Sequence, residues 1–219
     1  MENNKYENKE ICKKCKGECC KKCGCDYSTN DFQDLSIKAL EEILKEGKTS
    51  IVAAIDIKRT KNGTKYIVPY LYLRVRNKNR GIVDLISMKS CCSVLTERGC
   101  PYSLENRPSG GVNLIPSEVK GKCYPLLDQF EIVKGWEKYQ VTLTKMVKRL
   151  TGKTVDRILR EDTEQLVYDI MIGNFDYVSD REKQEIYPLI RELMDIYKEE
   201  CKRGMDRAQK EQTMLKLKK

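Results

Sequence analysis

No histidine occurs among the 219 residues of this chain. That absence excludes the commonest general base, the Ser-His and Cys-His nucleophile pairs, and every mixed Cys/His zinc pattern. Any transition-metal site here must be built chiefly from thiolates. A long apolar run that could span a membrane is also missing, and the opening MENNKYENKE is too polar for a secretory signal peptide. We therefore expect a cytoplasmic protein with no membrane partner. There is no Gly-rich dinucleotide loop, no Gly-Lys phosphate loop, no zinc-finger spacing and no RNA-binding aromatic motif. Nor does the sequence place a clear carboxylate pair, so no active site is legible and enzymatic activity stays open.

What the chain has in excess is cysteine, eleven in all. Six of them fall in ICKKCKGECCKKCGC, residues 11–25, among lysines and glycines that could bury almost nothing. In a reducing compartment so dense a cluster points to metal or redox chemistry, with structural disulfides as the alternative. Cys12 and Cys15 form a C-x-x-C pair, whose two-residue spacer lets a tight turn aim both sulfurs at one ion. Cys19 and Cys20 follow as a doublet, and Cys23 and Cys25 close the run. Flanking lysines favour the thiolate, and Gly17 and Gly24 allow the backbone to wrap closely. A bound ion would substitute for the core this segment lacks.

A second group lies in CCSVLTERGCPYSLENRPSGGVNLIPSEVKGKC, inside an aperiodic stretch spanning residues 90–125 that needs something to pin it. We take Cys92, Cys100 and Cys123 from it to complete the site. The candidate ligands are thus Cys12, Cys15, Cys19, Cys20, Cys23, Cys25, Cys92, Cys100 and Cys123. Zinc and iron–sulfur clusters accept the same thiolates, so either group fits. Six sulfurs in the arm exceed one tetrahedral site. Some are spare, or there are two centres, or the arm shares ligands with the later cysteines.

Elsewhere the texture is α+β. Ser36 can cap a helix with Ile37, Leu40, Ile43 and Leu44 on one face and Gly47 at its end. Alternation around Asn62-Gly63 predicts a hairpin, with Ile51, Ala53, Ile55 and Ile57 on one face and Tyr66, Val68, Tyr70 and Tyr72 on one face of its partner. Pro69 marks that partner as an edge or a bulge, and GIVDLISM offers a third strand of an antiparallel meander. Trp136, Tyr139, Leu143, Met146, Val147 and Leu150 form a helical stripe closed by Gly152. Thr154 could cap a short helix, followed by another through Leu166, Val167 and Ile170. Ser179 and Glu182 have capping-box spacing before a long helix with Ile186, Ile190, Leu193, Met194, Tyr197 and Cys201 on one stripe, which Pro188 should kink or split. On that stripe Cys201 reads as a buried thiol.

The fold expected is a metal-stapled Cys-rich arm and loop around a small antiparallel sheet, followed by a helical part. The division is a cysteine-cluster domain over 1–126, a helical part over 127–203, and a basic tail over 204–219, expected to fray.

The succession C-x-x-C with a following Cys-Cys, then Cys-x-x-Leu-x-x-x-Gly-Cys, then Arg-Pro, resembles the YkgJ-type cysteine-cluster family, described as zinc- or iron-chelating proteins. Cys12, Cys15, Cys19 and Cys20 match the first motif, Cys92, Leu95, Gly99 and Cys100 the second, and Arg107-Pro108 the third, over roughly residues 12–116. The family pattern usually continues Arg-Pro-x-x-Cys-Arg, whereas Gly111 stands here at the cysteine position. The resemblance thus implies a missing ligand that Cys123, Cys23 or Cys25 replaces. A more distant similarity to the cysteine motif of flagellin lysine N-methylases raises an iron–sulfur enzyme that modifies a protein or small molecule. The first expectation is a metal-binding protein whose thiolate site is structural or carries electrons. The net charge of +9 also suits an acidic macromolecular partner, although lysines this diffuse are ordinarily solvated surface.

Overall fold

The computed structural model describes residues 11, 14–21, 24–87, 91–117, 123–174 and 180–217. Cys12, Cys23, Met88 and Ser179 lie outside the described residues, and for Cys19 and Glu182 the backbone alone is described. The protein is α+β. It divides into two compact units, residues 1–54 with 69–158, and residues 55–68 with 159–219.

In the first unit Ser36 caps α1 (Ile37–Lys45), its hydroxyl accepting the Ala39 N–H, and Leu40 and Leu44 turn inward. Ile37 stays exposed. Strands β1 (Thr49–Arg59) and β2 (Lys65–Val75) form a two-stranded antiparallel sheet whose bases belong to this unit and whose tip belongs to the other. At the base both faces are covered: Thr49, Ser50, Ile51 and Val52 are all buried, as are Leu71, Tyr72 and Leu73. Alternation alone predicted a single buried face. The tip is a three-residue loop with Gly63 at φ +83 and Thr60 N–H donating to Thr64 O at 2.9 Å. Glycine therefore supplies the left-handed residue of a bulged turn rather than the second position of a two-residue one.

The expected third antiparallel strand is different. Residues 82–85 run parallel to β1, with Ile51 N–H donating to Ile82 O at 2.8 Å and Asp84 N–H to Ile51 O at 3.0 Å. The reason lies on the other side of the sheet, where the outer edge of β2 is already taken. Val75 and Leu73 pair with residues 25 and 27, and the Gln140 side-chain amide accepts the Leu71 N–H at 2.8 Å while donating to its carbonyl at 2.7 Å. Pro69 falls on this same edge, where a missing N–H breaks no ladder bond.

Gln140→Ala should destabilise this unit by about 1–3 kcal/mol, because two backbone groups of the buried Leu71 lose their partners. Urea unfolding followed by fluorescence of Trp136, the only tryptophan, reports it. A loss below about 0.5 kcal/mol, the usual scatter of surface changes, would show that water replaces the amide freely.

Beyond the sheet come α2 (Ser109–Val112), the short ladder β3 (Leu114–Ile115) with β4 (Tyr124–Pro125), and α3 (Gln129–Val133), started by an Asp128–Glu131 capping box. A 3-10 segment (Lys134–Tyr139) leads into α4 (Gln140–Thr151), which Gly152 ends at φ +70. Trp136 is fully buried and donates its indole N–H to Tyr27 O at 2.7 Å. Leu143, Met146 and Val147 share its burial, whereas Leu150 is exposed.

The two short helices expected after Thr154 are one, α5 (Val155–Met171), since no breaker interrupts ILREDTEQLV. In the second unit α6 (Asp180–Leu217) runs unbroken through Pro188. Ile186, Ile190, Leu193, Ile196 and Tyr197 are buried; Ile196 takes the place expected of Met194. Cys201 is exposed, contrary to its position on the stripe, because all of residues 201–210 are exposed. It accepts a hydrogen bond from Arg160, whose guanidinium also covers the Tyr197 ring. The tail, expected to fray, is drawn as helix to Leu217, in keeping with its run of Ala, Gln, Lys, Met and Leu without proline.

Candidate metal centre

The arm is held first by ordinary β pairing. Val75 N–H donates to Cys25 O and Tyr27 N–H to Leu73 O, both at 2.9 Å, and Gly24 N–H reaches the Asn77 side-chain carbonyl at 2.8 Å. Gly24 lies so close to β2 that a Cβ there would stand 1.9 Å from Val75 O, a separation no side chain tolerates. Between these bonds Asp26 and Arg74 form a largely buried ion pair at 2.5 Å.

The loop that follows residue 90 joins both. Lys78 N–H donates to Cys91 O at 2.6 Å, Ser93 N–H to Arg76 O at 2.9 Å, and Cys92 N–H to Cys20 O at 2.7 Å. Thr96 and Gly99 exchange backbone bonds at 3.1 and 3.0 Å, closing a turn in which Gly99 adopts φ +100. Opposite stands Gly17 at φ +74, where a Cβ would lie 2.8 Å from Leu95 Cδ1 and 3.7 Å from Gly99 Cα. The motif Cys-x-x-Leu-x-x-x-Gly-Cys is thus a turn whose leucine and glycine fit against a glycine of the arm.

Around this contact four cysteines pack. Cys20 and Cys92, 6 % and 3 % exposed, are buried with Val75, and Cys25 and Cys100 pack against them with Tyr27, Val94 and Leu95. Interaction with the Cys20 thiol is the main reason both Cys92 and Cys100 sit below their ordinary value of 9, against the opposing effect of burial; Cys100 is drawn down to about 6. Backbone N–H groups of Val94 and Leu95 add to the effect at Cys92, and those of Tyr102 with the Arg107 guanidinium add to it at Cys100. Arg107 also donates to Tyr102 O at 3.4 Å, so it both clasps its loop and faces a sulfur.

These shifts have a consequence for the metal-free protein. A thiol depressed by folding stabilises the fold in its charged form. Stability should therefore rise as pH goes from about 6 towards 9, and be lost as pH falls through about 6. Cys100→Ser should flatten that rise in a chelator-treated sample followed by urea unfolding. An unchanged slope in the variant would remove Cys100 as its source.

Gly111 answers the gap left by the resemblance. A Cβ at Gly111 would lie 2.9 Å from Cys25 Sγ and 3.0 Å from the Arg107 side chain. The Cys25 sulfur thus fills the space into which a side chain at 111 would point. Cys123 is half-buried, one residue before β4. Cys15 and Cys91 are half-buried and near the Lys21 ammonium, which is held above its ordinary value first by its hydrogen bond to Glu18. Among the described residues no three Cys, Asp or Glu side chains converge as a bound ion requires. Cys12, Cys23 and the Cys19 side chain are outside that description. Sequence reasoning missed Asn77, Arg74 and Gln140, which anchor the surroundings; long-range polar partners carry no local signal.

Comparison with protein-family models, with curated proteins and with solved structures returns no match.

Proposed function

We propose that this is a metal-binding protein of a reducing compartment, whose thiolate site staples the N-terminal arm to the loop after residue 90. Cys20, Cys92, Cys100 and Cys25 are its ligands, zinc or an iron–sulfur cluster its group, and its role is structural in the first place. The observation that carries this reading is the packing of two arm cysteines, Cys20 and Cys25, with two loop cysteines, Cys92 and Cys100, in one buried cluster. Sulfurs of a tetrahedral zinc site stand about 3.8 Å apart, so these cysteines, packed in one cluster, would have to close in on one point to bind the ion. Backbone N–H groups already directed at Cys92 and Cys100 are the outer-shell donors that thiolate sites use. Of these four, Cys20, Cys92 and Cys100 are also positions of the cysteine motifs that resemble the YkgJ-type family.

Elemental analysis of protein purified without oxygen tests the reading. Close to one equivalent of zinc, or iron with sulfide and a brown colour, is expected. Less than about a tenth of an equivalent of any transition metal in folded protein would defeat it, because such sites bind tightly.

A further inference from the structure

Cys20 is the hub of the sulfur group. Its side chain is buried in one cluster with Cys92, against which Cys100 packs, and its carbonyl accepts the Cys92 N–H at 2.7 Å, so the arm and the loop are held in register by backbone as well as by packing. We propose that Cys20 and Cys100 form a redox-active dithiol in the metal-free protein, which small-molecule disulfides oxidise to a Cys20–Cys100 bond joining arm to loop. The inference rests on the proposed thiolate site only in naming the metal-free state as the one in which it operates.

Access decides the order of events. Cys100 is partly exposed, whereas Cys20 and Cys92 are 6 % and 3 % exposed. A small disulfide therefore meets Cys100 first. The Cys100 sulfur attacks one sulfur of the reagent, whose S–S bond breaks; the first small thiol leaves, its sulfur taking up the proton lost by Cys100. A mixed disulfide remains on Cys100. Cys20, packed in the same cluster, then attacks Cys100 Sγ, and the second small thiol leaves with the proton from Cys20. Two protein thiols are oxidised and one small disulfide is reduced to two thiols. The second step is intramolecular between groups held side by side, so it should outrun release of the mixed disulfide. Cys92 is too well covered to capture the reagent, and Cys25 is turned towards Gly111 and Arg107. Oxidation would thus leave the arm tied to the loop after the metal has gone, by a covalent bond at the same place.

The test uses the full chain, stripped of metal by a chelator and treated with glutathione disulfide, followed by alkylation, digestion and mass spectrometry. The expected product is a cross-linked peptide pair carrying Cys20 and Cys100. Cys20→Ser should stop at a glutathione adduct on Cys100, with far-UV circular dichroism confirming that the variant is folded. A variant lacking the half-exposed Cys15 and Cys91 should still give the Cys20–Cys100 product in undiminished yield. Protein that purifies without metal yet forms this bond would uphold the inference while defeating the metal reading. Protein that purifies with metal, but once stripped leaves Cys100 unmodified or joins other cysteines, would overturn the inference alone.

Discussion

Cys100→Ser is expected to empty the site of metal and to expose two distant segments to protease together. Structural zinc contributes on the order of 10 kcal/mol in small peptides, comparable to the whole stability of a domain. Losing one thiolate of four forfeits most of it. Because Cys100 lies on the loop and Cys20 on the arm, the loss is felt on both sides of the contact. Trypsin should cut faster after Lys16 and Lys21 in the arm and after Arg98 in the loop, with the two sets of cuts accelerating in parallel. Residues 24–27 should stay protected longer, since their pairing with β2 does not depend on sulfur. Cys201→Ser, in the other unit, is the control and should change neither metal content nor cutting. Unchanged metal and an unchanged arm in Cys100→Ser would favour a self-contained knuckle made by the arm alone.

Cys25→Ser should weaken metal binding at least tenfold, and a second substitution, Gly111→Cys, should restore it. Outer-shell changes alone cost about 10–100-fold at metal sites, so loss of a ligand should cost no less. The restoration follows from the 2.9 Å between Cys25 Sγ and the Cβ position of Gly111. A cysteine at 111 can deliver its sulfur to the region that Cys25 vacates, and φ at Gly111 is not positive, so the backbone accepts a side chain. Gly111→Cys by itself should be harmful, because two sulfurs would compete for one space. Competition with a chromogenic chelator gives the affinities. Wild-type affinity in Cys25→Ser would remove Cys25 from the ligand set. A double variant as weak as the single one would show that position 111 cannot serve as its substitute.

Local signals made much of the fold legible. Ser36, Leu40 and Leu44 specify α1 by cap and period, Gly152 ends α4, and Asn62-Gly63 marks the hairpin although its turn is of another type. The pairing of residues 24–27 with β2 was hidden, because Gly-Cys-Asp-Tyr has no alternation and its partner is far along the chain. The parallel course of residues 82–85 was hidden for the same reason: it depends on which sheet edge is already occupied. At the candidate site, density and spacing pointed to Cys20, Cys92 and Cys100. They could not choose between Cys25 and Cys123, since only the fold determines which thiol returns to the group. Cys201 was misread because an apolar stripe continued along the helix past the last buried turn.

The closed outer edge of β2 gives the arm a second office. Proline at 69, the Gln140 amide at Leu71 and the arm at Leu73 and Val75 close that edge from residue 69 to residue 75. If the arm swings away, Leu73 C=O and Val75 N–H become an unguarded template for another strand. The best-fitting strand in solution is residues 24–27 of a second molecule, which carry the glycine and the aspartate this edge accepts. Two chains that exchange arms would each satisfy the other, at no loss of pairing. The damage from losing the staple would then scale with protein concentration, appearing as arm-swapped dimers and larger aggregates before any helix melts.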